Sequence, residues 1–117
     1  MNPRLLGAFG EQNAARYLRQ QGYEIFSGNF TSNIGEIDIV AFKDNIICFV
    51  EVKTRTEGAM YRPADAVDLK KQENLRSTAA SYMNRYKFEY NQRFDIIEVI
   101  VDDNSKIKSI NHIKDAF

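Results

Sequence analysis

The sequence predicts an α/β fold in which helices flank a mixed central sheet. Two long segments, 5–21 and 63–85, have helical features, and runs rich in β-branched and aromatic residues lie between and after them. The predicted order is helix, three strands, helix, strand, with a short edge strand at the end. With 117 residues, 44% of them hydrophobic and 27% charged, the chain is expected to form a single globular domain, 1–117.

The first helix is predicted over Leu5 to Gln21, where alanines and a leucine suit a helix and Gly22 follows as a stop signal. A strand is predicted over Tyr23 to Phe30, because apolar residues alternate loosely there before the polar turn Thr31-Ser32-Asn33. These two elements precede the most informative part of the chain.

That part is the stretch from Gly35 to Arg55, which is predicted to form a β-hairpin around Lys43-Asp44-Asn45. Both strands of the hairpin are almost continuously apolar. Strands of this kind are covered on both faces, so we expect the hairpin to lie in the middle of the fold.

The second long helix is predicted from Pro63 to about Arg85, because proline suits the first helical turn. The segment 55–62 has no clear period and is predicted to be an exposed loop. A strong strand signal covers Arg93 to Val101, and Lys106 to Ile113 is predicted to add the edge strand. The inner stripe of the second helix is expected to comprise Val67, Lys71, Leu75, Ala79, Tyr82 and Tyr86.

Charged residues interrupt both strands of the hairpin. Asp38 lies in the first strand, and Glu51 and Lys53 lie in the second. Because strand side chains alternate between faces, Glu51 and Lys53 share a face, and the turn brings Asp38 approximately level with Glu51. A slip of one residue would reverse that pairing. A buried, unpaired carboxylate is costly, and a divalent cation would remove the cost.

The chemistry that suits these residues is metal-assisted hydrolysis. Asp38 and Glu51 would bind Mg²⁺ or Mn²⁺, and the backbone carbonyl of Val52 between them is a candidate third ligand. Glu11 on the first helix would bind a water of that shell or a second ion; the alternative is a solvated carboxylate favoured by the helix dipole. Lys53 would orient or help to deprotonate the attacking water and would stabilise charge on a phosphate.

Other chemistries find little support in the sequence. Cys48, the one cysteine, cannot form an internal disulfide or a Cys/His zinc site by itself, and is predicted to be a buried apolar residue. His112, the one histidine, has no nucleophile in a recognisable elbow, so a surface or packing role is expected. Asp95 and Glu98 lie on opposite faces of their strand without an obvious partner. With no long apolar run or signal-peptide core, we expect a soluble, cytoplasmic protein with no membrane partner.

Short motifs spread over nearly the whole chain carry a family resemblance. They are Gly10-Glu11, Ala14-Ala15, Tyr17-Leu18, Gly22-Tyr23, Asn29-Phe30, Gly35-Glu36-Ile37-Asp38, Phe49-Val50-Glu51-Val52-Lys53-Thr54-Arg55, Ala66-Val67, Lys71-Gln72, Arg93-Phe94-Asp95 and Ile113-Lys114-Asp115-Ala116-Phe117. With them the chain resembles the YraN family of small bacterial proteins, which are similar to archaeal Holliday-junction resolvases. The wider likeness is to the PD-(D/E)XK nuclease superfamily, although here Ile37 stands where the superfamily has its leading proline.

The resemblance implies a restriction-endonuclease-like αβββαβ core and metal-dependent hydrolysis of DNA phosphodiesters. It also implies that Asp38, Glu51 and Lys53 form the catalytic triad of residues. Glu11 is then the acid supplied by the first helix.

Nucleic-acid contacts must come from a local patch, because sixteen basic and sixteen acidic residues leave no net charge. The residues alone predict that the stem of Lys71 packs while its ammonium reaches solvent. The resemblance instead makes Lys71 and Gln72 contacts to phosphate or to the site. The candidate DNA-binding residues are Arg55, Arg62, Lys70, Lys71, Gln72 and Arg76.

The leading hypothesis is a metal-dependent DNA endonuclease that prefers branched or repair-type DNA. A homodimer would place two such sites on one substrate. One alternative is a non-catalytic DNA-binding or scaffolding protein that keeps the acids for stability or metal binding, but such a protein gains nothing from acids that face phosphate. The other alternative is an RNase on the same scaffold, which the residues do not distinguish from a DNase.

Overall fold

A computed structural model describes residues 1–58 and 67–117 of the chain. The elements within these ranges are α1 (Pro3–Gln20), β1 (Glu24–Thr31), β2 (Glu36–Lys43), β3 (Ile46–Thr56), α2 (Leu69–Tyr86), β4 (Asn91–Val101) and β5 (Ile107–Ile113). This order confirms the predicted α/β class with a mixed sheet, and it is consistent with an αβββαβ core.

The five strands form one sheet in the order β1-β2-β3-β4-β5. Among the strands of residues 1–58 and 67–117, β3 and β4 pair in parallel, and α2 lies in the segment that connects them; the other neighbours are antiparallel. The predicted hairpin is confirmed, because β2 and β3 are antiparallel neighbours and their pairing starts at Lys43 and Ile46, on either side of the turn. Its two turn residues, Asp44 and Asn45, both have positive φ (54° and 64°), as a type I′ turn requires.

Side-chain caps set where the helices begin. The Asn2 side chain accepts a hydrogen bond from the Leu5 N–H, and Asp68 does the same for Lys71 at the start of α2. Helix α2 therefore begins at Leu69, so the predicted earlier start is wrong for residues 67 and 68; Pro63 lies outside the described residues. The loop predicted from residue 55 is also wrong at 55 and 56, which belong to β3, while 59–62 lie outside the described residues.

Both faces of the central strands are covered, as the apolar hairpin predicted. Ile47 and Phe49 of β3 pack in a cluster with residues of α2, whereas Cys48 and Val50 pack on the opposite face with residues of α1. Cys48 is fully buried, which confirms its predicted packing role. Within the described ranges, no helix is both long enough and apolar enough to cross a membrane.

Helix α1 approaches β3 most closely at Gly10. A Cβ atom added at this position would lie 2.8 Å from Thr54 Cβ and 2.9 Å from Thr54 Cγ2, closer than such atoms pack. Glycine therefore lets the helix backbone rest on the strand just beyond Lys53. The next residue on the helix is Glu11, which this contact holds at the edge of the central strands.

Candidate active site

The candidate active site lies where β2 and β3 separate. Their paired residues end at Ile39 and Val50, and the next position brings Asp38 opposite Glu51. Asp38 Oδ2 accepts a hydrogen bond of 2.8 Å from the Val52 N–H. The carboxylate thus satisfies a backbone donor at the fork, and the structure places Asp38 beside Glu51 as the hairpin register predicted.

Two lysines contact the same oxygen of Glu51. The Glu51 side chain is 6% exposed, and its Oε1 atom lies 3.3 Å from Lys53 Nζ and 3.2 Å from Lys71 Nζ. Lys71 reaches it from the first turn of α2, which the Asp68 cap fixes. The interpretation that the Lys71 ammonium simply reaches solvent is therefore wrong: the side chain is 42% exposed, but its charge contacts Glu51.

Burial and nearby carboxylates raise the pKa values of two acids of the site, Asp38 and Glu11. Burial, the Glu51 charge and then the Glu11 charge raise the pKa of Asp38 from an ordinary 3.8 to about 7, against the lowering effects of the Val52 N–H bond and Lys71. Burial also raises the pKa of Glu11, with further contributions from Glu36 and Glu51. Burial alone would lower the pKa of Lys71, but Glu51, Asp38 and Glu36 outweigh it, so this pKa is raised. The site therefore holds more negative charge than its surroundings easily tolerate.

Glu11 points into this charge cluster from α1. Its Oε1 atom is buried and has no hydrogen-bond partner within the described part of the chain. The alternative of a fully solvated carboxylate at the helix rim is therefore wrong. A buried carboxylate oxygen without a hydrogen-bond partner, next to the two acids Asp38 and Glu51, is costly. A bound cation would reduce that cost.

We expect Asp38→Asn to stabilise the metal-free protein. Because the folded-state pKa of Asp38, about 7, exceeds its ordinary 3.8, this group favours folding below pH 4, and that contribution is lost as the pH rises through 7. Asparagine avoids the loss and still offers an oxygen to the Val52 N–H. The gain should be about 1–3 kcal/mol at pH 8 in urea unfolding with EDTA, and should vanish at pH 4. A variant that is less stable than wild type at pH 8 would instead indicate a structural ion pair with the lysines.

The oxygen atoms available to a metal ion come from three elements. They are the carboxylates of Asp38 and Glu51, the backbone carbonyl of Val52 and the carboxylate of Glu11. Across residues 1–58 and 67–117, no group of three or more His, Cys, Asp or Glu side chains is arranged to hold an ion. One or two carboxylates are nevertheless the usual protein share of a Mg²⁺ site, where water and substrate phosphate complete the shell.

Two of the predicted DNA contacts on α2, Lys70 and Arg76, are exposed. Lys70 is exposed beside Lys71. Arg76 is also exposed, and its guanidinium lies over the rings of Phe94 and Phe117 at 4.8 Å and 5.5 Å. Stacking of this kind holds a guanidinium plane while leaving donors free for phosphate.

The remaining predicted contacts have other positions. The Gln72 amide donates a hydrogen bond of 3.2 Å to the Val67 carbonyl, so it holds the segment that leads into α2. Arg55 is half-buried on β3, two residues after Lys53. Arg62 lies outside the described residues.

A buried polar network near the far edge of the sheet was missed by the sequence reasoning. Asp95 is fully buried. Its carboxylate accepts two hydrogen bonds from Arg93, of 2.8 and 2.9 Å, and lies 2.7 Å from His112 Nε2. It also accepts a hydrogen bond of 3.0 Å from the Asp115 N–H. Burial would raise the pKa of Asp95, but the bonds from His112 and Arg93 outweigh it and lower the pKa. The spacing Arg-x-Asp on one face of a strand was the available signal.

This network joins α1 to the last two strands. Arg93 also donates to the Tyr23 hydroxyl at 2.8 Å, and the Tyr17 hydroxyl of α1 lies 3.4 Å from His112 Nδ1. Asp95 thus has partners that were not obvious in the sequence. The side chain of His112 is buried and hydrogen-bonded, so of the two roles expected for it the surface role is wrong. A second missed acid, Glu98, is 6% exposed and lies level with Lys53 on the neighbouring strand.

The part of the chain that contains these central elements matches a known protein family. Residues 10–99 match the model of the family described as "Uncharacterised protein family UPF0102", a segment that includes α1 from Gly10 onwards and the whole site. The chain belongs to the UPF0102 family. UPF0102 is the YraN family, so the resemblance drawn from the motifs is confirmed.

UPF0102 proteins from distant bacteria align with nearly the whole chain. The chain is 43% identical to one from Caldanaerobacter subterraneus subsp. tengcongensis, with 100% of this chain and 98% of the relative covered. It is 44% identical to one from Alkaliphilus oremlandii, with coverage of 96% and 97%. One from Porphyromonas gingivalis is 40% identical, with coverage of 95% and 82%.

Proposed function

We propose that this UPF0102 protein is a metal-dependent DNA endonuclease that hydrolyses phosphodiester bonds, with a preference for branched or repair-type DNA. The observation that carries the proposal is the pair Asp38 and Glu51 at the strand fork, with two lysines on one oxygen of Glu51. Two neighbouring acids beside cations, one of them buried and the other, Asp38, partly buried with a raised pKa, are more typical of catalytic sites than of structural ones.

The residues present fit a hard divalent ion. Asp38 and the second oxygen of Glu51 would hold it, with the Val52 carbonyl beside them and the orphaned oxygen of Glu11 directed at its water shell. Bound there, Mg²⁺ or Mn²⁺ would lower the pKa of a coordinated water and offset the charge of the substrate phosphate.

The two lysines have separate tasks in this proposal. Lys53 lies on the same strand face as Glu51, so its ammonium fixes that carboxylate and faces the place where a phosphate would gain negative charge. Lys71 approaches from α2 and is the more exposed of the two, which suits a contact with the DNA backbone. Lys70 and Arg76 would extend that contact along the helix, and dimerisation would bring two sites to one substrate.

The test is a cleavage assay on wild-type protein with intact, nicked and four-way branched DNA of the same sequence, and with the matching RNA. We expect cutting of the branched or nicked DNA with Mn²⁺ or Mg²⁺ and none with EDTA, since the ion supplies the activated water. Fluorescence-detected melting should show stabilisation by Mn²⁺ that is absent in Asp38→Ala, because a ligand that binds only the folded state raises its stability. Cutting that persists in EDTA would contradict the proposal.

A second candidate is a non-catalytic nucleic-acid-binding protein. The observation in its favour is that Lys53 and Lys71 already compensate the charge of Glu51 without an ion. It predicts DNA binding that is unchanged by Mn²⁺ and no cutting of any substrate. Cleavage confined to the RNA strand would instead assign the same chemistry to an RNase.

A further inference from the structure

A cleft of about 350 Å³ lies between α1 and the edge of the sheet formed by β1 and β2. Glu11 and Asp38 both line it, so the cleft opens directly from the candidate active site. Its volume is at the lower end of ligand pockets, which are about 300–1,000 Å³. The cleft therefore suits a single nucleotide rather than a stretch of duplex.

The walls of the cleft have the character of a base-binding pocket. Ala15 of α1 and Ile39 of β2 contribute small or apolar surface, which suits the faces of a base ring. Gln12 and Asn29 add side-chain amides, which carry both donors and acceptors for the edge of a base. Arg19 lies about 12 Å beyond Glu11 along the helix, where it offers a cation to the next backbone phosphate.

The strand that forms one wall has an unusual backbone conformation. Asn29 has φ of 53° inside β1, between the pairs Gly28–Ile39 and Phe30–Ile37, so it falls opposite Asp38. A residue other than glycine in this conformation within a strand persists only when its surroundings hold it, and such residues concentrate at ligand sites. The positive φ of Asn29 therefore lies where the cleft meets the acid pair Asp38 and Glu51.

We infer that this cleft binds one unpaired nucleotide next to the phosphodiester that is cut, so that the preferred substrates carry an unpaired base at that position. The inference rests on the proposed function and adds a substrate class to it. A base inside a duplex cannot enter a cleft between a helix and a sheet unless it leaves the stack. An unpaired base does so at the lowest cost, which creates the preference.

The test uses two duplexes of the same sequence, one with a single bulged 2-aminopurine and one with that base paired to thymine. Affinity is measured by anisotropy with Ca²⁺ in place of Mg²⁺, so that the strands remain intact. We expect the bulged duplex to bind at least about 10-fold more tightly, because a paired base must first be unpaired and taken out of the stack. The emission of 2-aminopurine should rise on binding, because the base moves from the stack into a cleft that Ala15 and Ile39 line.

Gly28→Leu is designed to fill the cleft. The register partner of Gly28 is Ile39, which packs on the α1 side, so a side chain at Gly28 points towards α1, and a Cβ there meets no atom within 4 Å. This variant should bring the affinity ratio of the two duplexes close to one. Ser109→Leu introduces the same side chain at an exposed position of the other edge strand, β5, and should keep the ratio.

Gln12→Ala keeps the test decisive if Gly28→Leu fails to fold. Gln12 is exposed on a helix, so alanine is tolerated, and losing one hydrogen bond should lower the ratio about threefold. Equal affinity of the wild type for both duplexes, or a ratio that Gly28→Leu and Gln12→Ala both leave unchanged, would overturn the inference. Metal-dependent cleavage that Asp38→Ala abolishes would then still uphold the proposed function. If no substrate is cleaved, the proposed function is overturned. The inference that the cleft lies next to the phosphodiester that is cut is then overturned as well.

Discussion

Lys53→Ala is expected to lower the rate of metal-dependent DNA cleavage at least about 100-fold, the usual effect of removing a group that stabilises charge in the transition state. Asp38→Ala should have an effect at least as large, because in the proposed mechanism Asp38 binds the metal ion. The measurement is single-turnover cleavage of branched DNA with Mn²⁺. The physical reason is local: the ammonium of Lys53 lies 3.3 Å from Glu51 Oε1, beside the place where the proposed ion would hold the phosphate.

Two exposed residues provide matched controls for these variants. Lys106→Ala removes a lysine and Asp103→Asn removes a carboxylate charge, both in or beside the turn between β4 and β5. Each should cut at the wild-type rate. If Lys53→Ala and Asp38→Ala retain full cleavage while EDTA still abolishes it, the metal binds elsewhere and the assignment of the site is wrong.

Asp95→Ala is expected to destabilise the folded protein by about 3–5 kcal/mol, the cost of breaking a buried ion pair by removing one partner. The change leaves Arg93 and His112 without their shared carboxylate, and it exposes the Asp115 N–H to an empty site. For a domain of this size, the melting temperature should fall by more than about 10 °C. Thermal unfolding at pH 7 followed by circular dichroism measures it.

The pH dependence of stability distinguishes the loss of the ion pairs and hydrogen bonds of Asp95 from a loss of packing. The pKa of Asp95 is lowered in the folded protein, so its stabilising contribution is present above its ordinary value of 3.8 and is lost as the pH falls through the folded pKa. The stability difference between wild type and Asp95→Ala should therefore narrow on acidification. Asp103→Ala is the matched exposed change and should alter the melting temperature little. A loss for Asp95→Ala that is equal at pH 7 and in acid would indicate packing alone.

Much of the site was predictable because it depends on short-range rules. Alternation along a strand placed Glu51 and Lys53 on one face, and the turn predicted around Lys43-Asp44-Asn45 brought Asp38 approximately level with Glu51. The structure then fixed the register, with Asp44 and Asn45 as the turn residues. The high cost of burying carboxylates in apolar strands then made these residues stand out without any structural information.

The parts that sequence reasoning missed depend on contacts between distant segments. The family resemblance implied that Lys71 contacts the site, but its ion pair with Glu51, twenty positions earlier in the chain, depends on where α2 begins. The Asp95 network joins three elements, and its strongest signal, Arg93 two residues before Asp95, says nothing about His112. Periodicity cannot supply such pairings, because they depend on how helices and strands pack in three dimensions.

By itself the sequence determined the order of the elements, the position of the hairpin turn and the approach of two acids and a lysine at the centre of the sheet. Turn chemistry and the two-residue repeat of a strand are local properties. Once the hairpin forms, they decide which side chains share a face. Only the tertiary structure decided where α2 starts, which ammonium groups reach Glu51, how Asp95 is satisfied and that a cleft opens beside α1. Each of these depends on the distance between segments far apart in the chain, which packing of the whole core sets.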